Sequence, residues 1–135
     1  MLSLTSDIKL FKGEFDYNKE YYPEPGMLGT EYVGSDRYAV ICISVDSPKR
    51  VTIAYFDEIS DEREAKDNPN IDIDENGVMR YLKLDEFIEK LYKRDLEKWS
   101  LRTKANGKQY WKEIGVTSSS YIHWGIANPY RDPNF

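Results

Sequence analysis

Few residues of this chain could do chemistry, and their spacing decides what each can do. Asp72-Ile73-Asp74-Glu75-Asn76-Gly77 sets oxygen ligands at the first, third and fifth positions and glycine at the sixth, like the first half of a helix-flanked calcium loop. The twelfth position is Lys83, a cation where that loop needs a bidentate carboxylate, and Pro69 stands three residues before Asp72, where the entering helix should run. The segment therefore reads as a hairpin turned by Asn76-Gly77, because asparagine and glycine supply the positive φ angles of a tight turn. His123 is the only histidine and Cys42 the only cysteine. Cys42 lies inside the apolar run Tyr38 to Val45, which leaves a zinc site short of ligands and denies the thiol the exposure and cationic neighbour that would activate it. Ser118, Ser119 and Ser120 precede His123 by three to five residues, but no strand-turn-helix elbow presents a serine to that imidazole. The eight glycines are scattered singly, so no loop cradles a phosphate. No catalytic residue, metal or cofactor is assigned, and the chain is expected not to be an enzyme.

Charge is the stronger signal. Asp57, Glu58, Asp61, Glu62, Glu64, Asp67, Asp72, Asp74 and Glu75 put nine carboxylates into a stretch with only Arg63 and Lys66 against them. Lys90 to Lys112 carries eight basic residues against two acidic ones. An acidic run of this density attracts a basic protein surface and repels nucleic acid and anionic lipid. Tyr21 and Tyr22, beside Pro23-Glu24-Pro25-Gly26, offer rigid contact area of the kind enriched at interface hot spots. The basic residues of 90–112 interleave with Tyr92, Trp99, Tyr110 and Trp111, a combination that can track a nucleic-acid backbone. With Trp99 assigned to a helix's apolar stripe and a net charge of −5, direct nucleic-acid binding is not expected.

The elements that must position these groups follow from periodicity. With 135 residues, 40% apolar, the chain is read as one domain, 1–135, able to bury a core without staples. Tyr38 to Val45 and Val51 to Phe56 are strands joined by a hairpin, and Ile8 to Phe15 and Thr30 to Val33 are shorter strands before them. A second hairpin spans Ile71 to Leu82. Phe87, Ile88, Leu91, Leu96 and Trp99 form a helical stripe, which predicts one principal helix from Leu84 to about Lys104, ended by Asn106-Gly107. Lys108 to Ile114 and Tyr121 to Ala127 add two strands before an irregular tail. The fold class expected is α+β, a mainly antiparallel sheet of about five to seven strands packed on that helix. No segment approaches eighteen apolar residues and the N-terminus lacks a secretory pattern, so a soluble, cytoplasmic protein without membrane contact is expected.

The functional expectation is an acidic protein-binding inhibitor. It would occlude a basic surface on a nucleic-acid-processing enzyme or toxin, by the physical logic of anti-defence and immunity proteins, through the nine carboxylates above with Tyr21 and Tyr22. The alternative is a small-ligand-binding protein or small enzyme whose pocket lies against the sheet, lined by tyrosines, Trp124 and His123. A concave pocket with converging polar groups distinguishes the second from the first.

Overall fold

Alternating apolar residues make strands the main regular structure among the described residues. The computed structural model describes residues 13–117 and 119–131. Among them are eight strands: β1 (Leu28–Val33), β2 (Asp36–Ser47), β3 (Arg50–Tyr55), β4 (Ile71–Ile73), β5 (Met79–Tyr81), β6 (Glu97–Thr103), β7 (Gln109–Glu113) and β8 (Tyr121–Trp124). Two short helices, α1 (Glu62–Asp67) and α2 (Leu84–Glu89), and a 3-10 turn at Lys93–Asp95 complete the set. The strand expected over Ile8 to Phe15 lies outside the described residues except for its last three, which are irregular.

The expected sheet on one principal helix is overturned. β1-β2-β3-β6-β7-β8 close into an antiparallel barrel, and β4 and β5 form a separate two-stranded ribbon. The helix from Leu84 stops at Glu89, and the residues expected to continue it to Lys104 become β6. The stripe fails after Leu91, because the next apolar residue, Leu96, is five positions on; from there Glu97, Trp99 and Leu101 alternate with Lys98, Ser100 and Arg102 at the strand period. β6 also satisfies the free edge of β3, pairing Val51 with Trp99 and Ile53 with Glu97. Asn106-Gly107, read as the helix stop, is instead the β6–β7 turn, with Gly107 at φ 85° and the Asn106 side chain accepting from Lys108 N at 2.9 Å.

Closure rests on β1 pairing with β8 as well as with β2. Gly29 faces Trp124 across that seam, and a Cβ on Gly29 would lie 2.8 Å from the indole and 3.1 Å from the His123 carbonyl. Only glycine lets the two strands and the indole share this space. Register shifts between Cys42 and Ser44 and between Val45 and Ser47 bend β2 along the wall. The interior is filled by side chains, as a barrel this small requires: Val40, Cys42, Val51, Ile53, Ile122 and the three tryptophans Trp99, Trp111 and Trp124 form one buried cluster.

A second apolar layer lies outside the wall. Leu28, Ala39, Ile41 and Ala54 point outward from β1–β3 and pack with Ile59, Ala65, Ile71, Met79 and Tyr81 from the 56–96 insertion. That explains why 39–42 is apolar at every position. Tyr81 N donates to Gly26 O at 2.8 Å and Met79 N to Gly125 O at 2.7 Å, which fasten the ribbon to the barrel's end. Among the described residues the insertion packs on β1–β3, whereas the outer face of β8 is met in part by Phe15, Tyr17 and Lys19. No helix of the described residues is long and apolar enough to cross a membrane.

Candidate functional site

The acidic run divides into carboxylates that hold local structure and carboxylates that face solvent. Asp61 caps α1, its Oδ1 accepting from Glu64 N at 2.8 Å, while Glu64 Oε2 accepts from Ser60 N. Asp74 organises the β4–β5 turn: Oδ1 accepts from Asn76 N at 2.8 Å and Val78 N at 3.1 Å, and Oδ2 pairs with Arg80 Nη1 at 2.8 Å. Burial works to raise the Asp74 carboxyl, but Arg80 and the two backbone donors outweigh it and hold it below the usual range. The calcium-loop geometry is absent here, since Asp74 is already satisfied by the hairpin and Asp72 sits on β4 opposite Arg80. Asp57, Glu58, Asp67, Asp72 and Glu75 are exposed, and Glu62 is half-buried within 4.0 Å of Lys66.

Of these, Glu62 and Asp67 border a concavity of about 540 Å³. Phe15, Ile73, Met79 and Ile126 contribute apolar surface to it, and Glu14, Glu62 and Asp67 ring it with Lys66. Tyr21 and Tyr22 do not stand together on it. Tyr21 packs against Phe15 at 5.4 Å, and Tyr22 donates its hydroxyl to the Pro48 carbonyl and lies edge-on to Trp111 at 6.0 Å. Both rings fasten the 13–25 segment to the barrel, although Tyr22 remains 47% exposed.

A second concavity, of about 560 Å³, lies between the outer face of β7–β8 and the segment that carries Tyr17 and Glu20. β7 and β8 are in register only at Trp111 and Ile122, so the strands part on either side of that pair. Lys104, Lys108 and Lys112 line the groove with Tyr110, Tyr121 and His123, and Glu20 is its one carboxylate among the described residues. Tyr110, Lys112, Tyr121 and His123 all point outward, because Trp111 and Ile122 point in. Tyr121 stacks on Tyr32 at 5.0 Å with 16° between the planes, and Lys104 Nζ lies 5.4 Å above the Tyr110 ring. His123 Nε2 is 3.1 Å from Lys19 O, and its ring meets Phe15 and Tyr17 edge-on. Tyr17 lines both concavities, so it is the ridge between an acidic hollow and a basic one. Trp124, expected in such a pocket, is instead in the barrel interior.

The barrel mouth holds a third group that the sequence reading does not single out. Glu31, Glu97 and Glu113 point inward from β1, β6 and β7, and Glu31 is only 3% exposed. Tyr55 Oη donates to Glu31 Oε1 at 2.7 Å and Trp99 Nε1 to Glu97 Oε1 at 3.1 Å. Burial, then the neighbouring glutamates, raise the Glu97 and Glu113 carboxyls above the usual range, with the Trp99 bond opposing the shift at Glu97. Burial and Glu31 push the Tyr55 phenol far up, which keeps it a donor. The period-two face Glu97-Trp99-Leu101 with Trp111-Glu113 is the signal that locates this cluster.

Among the described residues no nucleophile stands beside a base. Cys42 is fully buried and its thiol is pushed up to about 12 by burial, with Asp46 and Glu24 adding to the shift. Ser119 is exposed and Ser120 buried beside the groove, and His123 Nε2 faces the Lys19 carbonyl at 3.1 Å. No three His, Cys, Asp or Glu side chains among the described residues are placed to hold a metal ion. No protein-family model, curated protein or solved structure gives a significant match to this chain.

Proposed function

We propose that the protein acts by stoichiometric protein binding, laying its acidic flank on a basic surface of a nucleic-acid-processing enzyme or toxin and occluding it, as an anti-defence or immunity protein does. The observation that carries this reading is the hollow at that flank. Carboxylates of Glu14, Glu62 and Asp67 surround apolar surface from Phe15, Ile73, Met79 and Ile126, with exposed acids on the adjoining α1 and β4–β5 segments. An arginine or lysine fits such a place twice over, its stem against the apolar floor and its charge at the rim. Titrating the partner's activity tests it. Inhibition that reaches completion at a fixed molar ratio supports the reading, and substoichiometric, time-dependent loss of partner activity contradicts it.

A second reading, a ligand-binding protein with an aromatic-lined pocket against the sheet, draws support from the β7–β8 groove, where Tyr17, Tyr110, Tyr121 and His123 meet three lysines.

A further inference from the structure

We infer that the groove on the outer face of β7 and β8 binds single-stranded nucleic acid. The inference is independent of the acidic flank; it rests on the aromatic-groove reading and gives that groove its ligand class. Its charge, its rings and its length each narrow the occupant.

Charge comes first. Lys104, Lys108 and Lys112 stand on one concave surface with a single opposing carboxylate, Glu20, among the described lining residues. The net charge of −5 does not cancel this patch, because charges more than about 8 Å away are screened at physiological salt. Trp99 and Trp111, which interleave with the basic residues in the sequence, are buried in the barrel interior and take no part; the groove's three lysines meet Tyr110, Tyr121 and His123 instead.

The rings separate a base-bearing polymer from any other polyanion. Tyr121 is 46% exposed, and its parallel stack on its cross-strand neighbour Tyr32 braces one face of the ring. An exposed, braced ring beside cations is the arrangement on which unpaired bases stack in proteins that bind single strands with little sequence preference. Tyr110, held under Lys104, and the His123 imidazole extend the surface on either side. An acidic peptide would use the lysines but has no flat groups for these rings.

Length suits an oligomer. Lys108 and Lys112 are four residues apart along extended chain, roughly 13 Å at the rise of a strand. A short oligomer can set a separate phosphate at each and a base on the rings beside them. The same chemistry is shared by single-stranded DNA and RNA, which differ at the 2′-hydroxyl.

The test is fluorescence anisotropy with the full chain and labelled dT15 and U15, between 50 and 200 mM NaCl. Three phosphate contacts at about 0.7 of a counterion each give a log–log salt slope near −2, so affinity should fall about twenty-fold across that range. Lys108→Gln should flatten the slope by about 0.7. Tyr121→Ala should weaken binding about five-fold to a hundred-fold, while Tyr121→Phe, which keeps the ring and its stack, should bind like the wild type. A preference between dT15 and U15 tells which nucleic acid the site suits. Reversing Glu62 and Asp67 to lysine, on the acidic hollow, should not abolish oligomer binding or its dependence on Tyr121, whatever it does to a protein partner. The inference is overturned if neither oligomer binds saturably at 50 mM NaCl. It is equally overturned if heparin and a poly-glutamate peptide bind as tightly as the oligomers and Tyr121→Ala changes none of them, which would make the groove a site for acidic partners.

Discussion

Replacing Tyr55 with phenylalanine removes one oxygen atom and should destabilise the barrel more than its size suggests. That oxygen lies 2.7 Å from Glu31 Oε1; Glu31 is 3% exposed and Tyr55 38%, so water can approach the lost donor's place only from the tyrosine's side and replaces it incompletely. Hydrogen bonds to carboxylates are worth about 1.5 to 3 kcal/mol, and the orphaned acceptor keeps its desolvation cost. For a chain of this length each kcal/mol shifts the melting temperature by about 4 °C, so Tyr55→Phe should melt about 6 to 12 °C lower. Urea unfolding followed by tryptophan fluorescence is suited to the measurement, because all three tryptophans lie within the barrel. The structure also specifies a rescue. In the Glu31→Gln background the same substitution should cost less, with a coupling of at least about 1 kcal/mol in the double-mutant cycle. A Tyr55→Phe protein within about half a kcal/mol of wild type, or strictly additive effects, would refute the claim that this pair closes the mouth.

Stability should depend on pH in two directions. Glu97 and Glu113 titrate above the usual range in the fold, so their penalty is absent below about 4.5 and grows as pH rises through their folded values; Asp46, lowered chiefly by Thr52, and Asp74 contribute stability that is lost as pH falls below about 3.8. Urea midpoints should therefore peak in the mildly acidic range and decline on both sides, and a midpoint rising steadily from pH 5 to 8 would contradict the burial of the glutamates. Gly29→Ala should cost about 1 to 3 kcal/mol, because its Cβ would meet the Trp124 ring at 2.8 Å; a neutral effect in thermal melts would show that the β1–β8 seam is looser than described. Trp99→Ala should cost about 3 to 5 kcal/mol, whereas Leu82→Ala, at a residue 65% exposed, should stay within about half a kcal/mol, and equal small effects would place Trp99 outside the core.

The parts of the fold legible in the sequence are those set by local chemistry. The run Tyr38 to Val45 and the strand Val51 to Phe56 appear where composition puts them, and the second hairpin forms, but its connection runs over 74–78 with only Gly77 at positive φ and not as a tight Asn76-Gly77 turn. The helix to Lys104 fails because Phe87, Ile88 and Leu91 do keep helical spacing, and the switch to period two at Glu97 comes with no proline or glycine to mark it. Barrel closure was not legible at all, since it depends on β1 meeting β8 across about 90 residues, and only Gly29 hints at the close approach. The same gap hides both the glutamate cluster and the groove, whose members come from strands distant in sequence. The acidic run is visible in composition, but composition cannot separate Asp61, Glu64 and Asp74, which hold caps and turns, from Glu62 and Asp67, which rim the hollow.

The most direct measurement is the association rate of the purified protein partner with wild type and with the Glu62→Lys, Asp67→Lys, Glu75→Lys variant, across salt concentrations. Asp67 and Glu75 cap no helix and close no turn, and Glu62 gives up only its pair with Lys66 and its place in the first turn of α1, so the variant should lose no more than about 1 kcal/mol of stability. The account predicts association at least about ten-fold slower at low salt, with a flattened salt dependence, because steering by opposite charge is removed. Unchanged association kinetics in a variant that melts normally would contradict it.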